Sequence, residues 1–388
     1  MTGWTNWAGN VACRPARIVE PQDEAELREL IGLSVARAEP IRIAGSGHSF
    51  TPVAASDGLL LSLRHMAGIL HVDRQAACAE IAAGTRIADL GAALQSTGLA
   101  LANQGDVDVQ TVAGAISTGT HGTGRALGSL STMVRGLRLI DGKGDMIAID
   151  QGEPATLQAA SLSLGTMGAL VSVTLALVPA YRLHERVWRE PIEQALERLD
   201  ELVGDTRHFE FFWLPESDEA ECKALHPTPD DPGTSLMVGE RIDWSWRIFP
   251  SERNRKFIES EWSVAAANGP ACFAAIRELM RTRHADVKWP VEYRTVAADD
   301  LPLSPAYGRD TVAISIHQGA GRPWESFFRD AEAIFRGFGG RPHWGKWHSL
   351  AARDFAARYP RWEEFNRIRR EFDPHGRFIT PYLRELFD

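Results

Sequence analysis

The sequence predicts an α+β protein of two domains with a returning tail, on three observations. Strand-like and helix-like segments alternate without a regular βαβ repeat. After Pro179 the texture shifts from short apolar strands to longer charged helices set beside aromatic strands. Two tight glycine-rich turns, IRIAGSGHSF at residues 41–50 and AGAISTGTHGTG at residues 113–124, both fall in the first half. At 388 residues the chain can build two cores, and the predicted division is 1–180, 181–340 and a segment 341–388 that packs back on the first domain.

In chain order, residues 21–34 (PQDEAELRELIGLS) predict a helix: acidic residues open its first turn, and Leu27, Leu30 and Ile31 share one face. The strand IRIAG follows and runs into Gly-Ser-Gly, with His48 at the tip. Further strands are predicted at 58–63, 79–82, 137–141 and 146–150, the last two joined by the turn Asp-Gly-Lys-Gly-Asp. Residues 87–97 have helical spacing and stop at Gly98, a natural left-handed cap. Residues 166–178 enter a buried strand from a glycine turn or a short helix. In the second domain, helices at 191–203 and 272–283 alternate with the strand HFEFFWL at 208–214, and DDPG (230–233) and NGP (268–270) are loops. Strands on one side and helices on the other would make a sheet with one covered face.

Composition narrows the function. Hydrophobic residues at 44% and charged residues at 24% are an ordinary globular mix. A net charge of −9, with Lys and Arg scattered, gives no footprint for nucleic acid or anionic lipid. No apolar run approaches the roughly 20 residues that span a bilayer, and the N-terminus lacks the pattern of a secretory leader. Cys13, Cys78, Cys222 and Cys272 form no CxxC or metal-ligand spacing, so reduced thiols, a cytoplasmic location and no metal are expected. The twelve tryptophans belong in the core or in site walls.

Glycine accepts positive φ and has no Cβ, so both turns let backbone N–H groups approach an anion. One such turn is weak support for a phosphate site; two, the first with a histidine at its apex, suggest a dinucleotide held from both sides. A nicotinamide fingerprint does not fit, because GSGHSF lacks the third glycine and no acid follows at about twenty residues. A purely structural role for both turns stays open. His48 has the plain alternative of an inert exposed imidazole; His121, in the second turn, reads as a backbone or phosphate hydrogen-bond partner. Glu292 and Arg294, two apart on a strand, point to one face and could reach one ligand, or form a surface ion pair.

Five segments resemble the FAD-linked oxidases of the vanillyl-alcohol-oxidase superfamily, in its sugar-lactone oxidase and alditol oxidase branch. They are NWAGN (6–10), GSGHSF (45–50), NQGDVDVQTVAGAISTGTHGTG (103–124), LGTMGALVSVTL (164–175) and PHWGK (342–346). The resemblance implies a two-domain fold, a PCMH-type FAD-binding domain and a substrate (cap) domain with a mixed or antiparallel sheet covered by helices. It implies FAD held by Ala44, Gly45, Ser46, Gly47, His48, Ser49, Gly105, Asp106, Thr111, Gly114, Thr118, Gly119, Thr120, His121, Ala169 and His343. It also implies a covalent bond from His48 to the flavin 8α-methyl, and a reacting centre of Glu292, Arg294, Lys346, Asp106 and His317.

The branch is mixed. Asp106 stands where alditol oxidases have serine, which resembles the lactone oxidases, as does HFEFFWLP. EYRTVAADD (292–300) and SPAYGRDT (304–311) are more similar to the alditol branch, though His317 replaces its threonine. The implied reaction is oxidation of a sugar-1,4-lactone of the L-gulono or D-arabinono type, or alternatively of an alditol such as xylitol or sorbitol at C1. Gly105 falls where the family gates oxygen, so O₂ is the expected acceptor, with H₂O₂ as product.

Overall fold

The computed structural model describes residues 3–232, 236–252 and 254–387. The loop carrying His48 hangs from a three-stranded parallel sheet, ordered Arg17–Val19, Leu59–Leu61, Ile41–Ile43. Helix Glu24–Ala36 connects its outer strands, with Leu27 and Ile31 wholly buried. It starts later than the acidic run predicts, because the Asp23 side chain accepts from Glu26 N and so fixes the N-cap.

A five-stranded antiparallel sheet lies beside it, ordered Met146–Asp150, Val134–Ile140, Ala169–Ala176, Cys78–Ala82, Ile69–Asp73. The predicted 141–145 turn is present: Asp141 Oδ1 accepts from Lys143 N and Asp145 N, and Gly144 takes φ +88°. Helix Ile87–Ser96 ends as expected, with Gly98 left-handed at φ +83°. The glycine-turn option, not the short helix, leads into Ala169–Ala176.

The second half builds an eight-stranded antiparallel sheet, in the order Glu240–Trp244, Arg182–Pro191, Glu219–Thr228, His208–Leu214, Val291–Val296, Thr311–Gly319, Phe257–Ala265, Arg341–Pro342. Helices Gly269–Arg283 and Glu325–Gly337 pack against it, burying Phe273, Ile276, Phe327, Phe328 and Phe335. Two expectations change here. The helix predicted at 191–203 is two short helices, Ile192–Glu197 and Leu199–Asp205, broken at Arg198. NGP is not a loop: Asn268 ends a short 3₁₀ turn and Gly269–Pro270 open the long helix, since proline's missing N–H is harmless in a first turn. Of the DDPG loop, Gly233 lies outside the described residues.

The C-terminal segment ties the halves together. Pro342 pairs with Trp262 at the edge of the large sheet, while Arg377 and Phe372 carbonyls accept from Ile41 N and Gly142 N. Among the described residues no helix is long and apolar enough to cross a membrane.

Candidate active site

The Gly-Ser-Gly loop leaves its strand at Ala44 and turns at Gly47, where φ is +70°. Among the described residues, no protein acceptor meets the backbone N–H of Gly45, Ser46, Gly47, His48 or Ser49. These bare donors line a cavity of about 600 Å³, a size that suits a bound cofactor. The second glycine segment forms the facing wall through Thr111, Gly114 and Thr118. Thr111 Oγ1 accepts from Gly114 N and lies 2.6 Å from where a Cβ on Gly45 would stand, so only glycine allows the two walls this close. Buried Arg42 donates to the carbonyls of Leu164, Gly165 and Phe378, locking the floor to the C-terminal segment. Unsatisfied N–H groups around an elongated cleft are what a pyrophosphate needs, so these residues fit FAD.

His48, Ser49, Gln110 and Thr118 also line a second, smaller chamber of about 70 Å³. Its walls are charged. Arg294, 7% exposed, donates from Nε to Glu292 Oε1 at 2.6 Å and lies 3.4 Å from Glu210 and 3.5 Å from Asp106. Burial works against its charge, but Glu292, Glu210 and Glu261 outweigh it and raise its pKa further. Lys346 forms a close ion pair with Glu259 and stands over the Phe50 ring. Burial pushes the Glu259 carboxyl up; Lys346 and His317 overcome that and hold it below the usual range.

Position comes from packing. Trp344, between His343 and Lys346, is buried in a stack with Phe355 and Trp362 and donates to Leu303 O at 2.7 Å. Truncating such a buried aromatic costs about 3–5 kcal/mol of stability, so this segment, and with it the backbone that carries Lys346, is firmly seated. Two imidazoles stay neutral: burial, with Lys346 nearby, lowers both His48 and His343 to about 4.

Most of the expected residues converge. Ala44 to Ser49, Thr111, Gly114 and Thr118 line the large cavity; Gly105, Asp106, Thr120, His121, His343, Arg294 and Lys346 line the small one. Four do not reach either wall. Ala169 is sealed inside its strand, while Gly168 and Leu170 face the cavity instead. Gly119 closes helix Val112–Thr118 at φ +76°. Glu292 and His317 sit one layer back, their ligand atoms within 4.8 Å of each other and of Glu259. A metal ion in that trio would compete with Arg294 and Lys346, which already hold two of its carboxylates. The surface-pair alternative for Glu292 and Arg294 is overturned, since both are buried. His121 takes the backbone role offered for it, with Nδ1 facing Gly122 O at 2.8 Å, while Nε2 faces Glu261 at 3.0 Å.

Sequence reasoning missed Glu259, Glu261, Glu210 and Trp7. The signal for the first two was present in FIESEWSVA, where acids alternate on a strand otherwise fit only for burial. Glu210 was similarly visible inside HFEFFWL.

Comparison with known proteins agrees with this geometry. A family model described as D-arabinono-1,4-lactone oxidase matches residues 173–242 and 234–386, and one described as FAD binding domain matches residues 15–150. An L-gulono-1,4-lactone dehydrogenase of Mycobacterium tuberculosis is 36% identical, over 99% of this chain and 98% of its own. An L-gulonolactone oxidase of Scyliorhinus torazame is 30% identical over 98% and 97%, and an alditol oxidase of Streptomyces sp. is 30% identical over 100% and 99%. Among solved structures, a cholesterol oxidase from B. sterolicum shares the fold with a TM-score of 0.89, over 100% of this chain and 96% of its own, at 16% identity. A cofactor cleft lined by bare amides, a charged chamber at its end and full-length relatives together make this chain an FAD-linked oxidoreductase, a member of the sugar-lactone oxidase branch of the vanillyl-alcohol-oxidase superfamily.

Proposed function

We propose that the protein oxidises a ring hydroxyl of a neutral sugar-1,4-lactone of the L-gulono or D-arabinono type. The observation that carries this is the small chamber: Arg294 and Lys346, each already paired with a carboxylate, face the same buried space that His48 closes. Such paired charges offer donors and acceptors to hydroxyls without favouring an anionic ligand. When bound, FAD would supply a two-electron acceptor for the substrate C–H, with O₂ as the proposed final acceptor and H₂O₂ as its product. Arg294 and Lys346 stabilise negative charge that develops at the reacting centre. Asp106, on the wall and 3.5 Å from Arg294, receives the hydroxyl proton, with Glu292 and His317 completing the network behind it.

The division 1–180, 181–340 and 341–388 is our reading of the domains. Free thiols at all four cysteines support a cytoplasmic setting. For the acceptor, the supporting feature is the place of Gly105 on the wall of the small chamber, where it presents no side chain. The alditol reading keeps its place because an alditol oxidase is similar over the whole length. Initial rates on L-gulono- and D-arabinono-1,4-lactone against xylitol and sorbitol, in air and anaerobically with a dye, test both points. Higher kcat/KM on the polyols would replace the lactone reading, and dye-only turnover would make the protein a dehydrogenase.

We also propose that FAD is bonded covalently to His48. The imidazole sits where the two cavities meet and is neutral, as a nucleophile must be. Acid-precipitated wild-type protein is expected to stay fluorescent and His48→Ala to lose the signal; a colourless wild-type pellet refutes the bond.

A further inference from the structure

The element that grips the His48 loop comes from the extreme start of the described chain. Strands Trp4–Thr5 and Ala12–Cys13 pair as a small hairpin, and the Asn6 carboxamide organises its turn by accepting from Gly9 N and Val11 N, both at 3.0 Å. From that turn Trp7 N donates to Gly47 O at 2.8 Å, Asn6 Nδ2 to Ser49 O at 2.9 Å, and Asn10 Nδ2 to Phe50 O at 2.9 Å. The backbone is thus held on both sides of His48. The side chain is held as well: the Trp7 indole stacks on the imidazole, with centroids 5.1 Å apart and planes 22° from parallel. The indole is itself braced edge-on by Phe257, centroids 5.3 Å apart at 73°.

We propose that Trp7 is the positioning residue for covalent attachment of the flavin, its indole presenting a ring nitrogen of His48 to the 8α-methyl carbon. The inference rests on the covalent reading above. In the bond-forming step a C–N bond joins that carbon to the ring nitrogen, replacing one C–H bond and one N–H bond. Two protons are released and two electrons enter the flavin; O₂ then takes both electrons and both protons, leaving as H₂O₂, so the oxidised cofactor is restored. No residue of the protein is oxidised. The requirement on the protein is orientation, because an imidazole on an open loop rotates about two side-chain torsions and only a narrow range aims its lone pair. Stacking selects that range in advance, and the neutral ring meets the chemical requirement.

The test compares wild type with Trp7→Phe, which keeps a stacking face, and Trp7→Leu, which keeps apolar bulk without one. Each is produced under riboflavin limitation and given FAD, and acid-stable flavin per protein is followed with time, alongside total bound FAD. Trp7→Leu is expected to attach flavin about ten-fold more slowly with total binding near wild type, and Trp7→Phe to recover most of the rate. Equal rates for Leu and Phe overturn the role of the indole. If wild type itself never acquires acid-stable flavin, the covalent reading fails first, and a time course tells the two failures apart.

Discussion

The two cavities that meet at His48 are built from opposite materials. The large one, though side chains such as Arg64 and Arg86 also line it, sets the bare backbone N–H groups of residues 45–49 against a glycine-bearing helix, and those donors no side-chain change can remove. The small one is walled by ionised side chains brought from distant parts of the chain: Glu259 and Glu261 from one strand, Arg294 from another, and Asp106 and Lys346 from loops. Backbone recognition suits a ligand that never changes, whereas side-chain recognition can be retuned while the cofactor stays in place. Holding the cofactor and transforming the substrate should therefore be separable by mutation.

The largest separation is expected at Arg294. Removing it leaves Glu292, Glu210 and Asp106 without their shared cation. Arg294→Met should lower kcat/KM on the preferred lactone by about 10³-fold, the usual loss when a buried stabilising charge is deleted. Bound FAD per protein, read from the visible spectrum, should be unchanged. Loss of flavin in this variant would show that the small chamber also holds the cofactor, and the distinction between the cavities would fall.

The converse variant is Gly45→Ala. Its Cβ would stand 2.6 Å from Thr111 Oγ1, the atom that caps helix Val112–Thr118, so one wall has to move. Retention of non-covalent FAD, measured by fluorescence titration in a His48→Ala background, should weaken about thirty-fold, roughly 2 kcal/mol. Turnover per bound flavin in the Gly45→Ala single variant should stay within about two-fold of wild type, for Gly45 does not line the small chamber.

The same contrast explains what could be read from the sequence. A backbone cradle announces itself locally, because glycines at fixed spacing and a histidine at the apex are contiguous in the chain; the loop and its turn at Gly47 were legible, whereas the facing segment, expected as a second tight turn over 113–124, is the helix Val112–Thr118 as far as Gly119. Strands such as His208–Leu214 were legible too, since aromatic residues alternate within one short run. The chamber is another matter. Glu259 belongs to one strand, Glu292 to a second, His317 to a third and Lys346 to the tail, and only sheet order places them together. Local spacing showed that Glu292 and Arg294 share a face, but nothing local told that the pair would be buried. The break at Arg198 was hidden for a different reason: the residues around it have ordinary helical propensity, and only the fold shows the two pieces lying on different strands.

Acidification should sharpen the comparison by separating imidazoles inside the chamber from one outside it. Burial lowers His343 to about 4 and His348 to about 3. Because an unfolded imidazole protonates near 6.5, the unfolded state binds more protons between that value and the folded one. Stability from each neutral histidine is thus complete above about pH 6.5 and lost as pH falls toward the folded value. The chamber carboxylates do not contribute in this window: Glu259 and Glu261 are held below the usual range despite burial, so their stabilisation fades only below about pH 4.3. His343 is useful where it is, since its Nδ1 accepts from Gly345 N at 3.0 Å. His348 is not: packed edge-on to Phe355, neither of its ring nitrogens meets a hydrogen-bond partner among the described residues. His348→Leu should therefore match wild type near pH 8 and gain about 1.4 kcal/mol on it at pH 5.5, the cost of protonating the unfolded imidazole one unit below its pKa. Thermal melts at the two pH values check this, and an equal loss of melting temperature on acidification in both proteins would mean that His348 is already charged in the folded state.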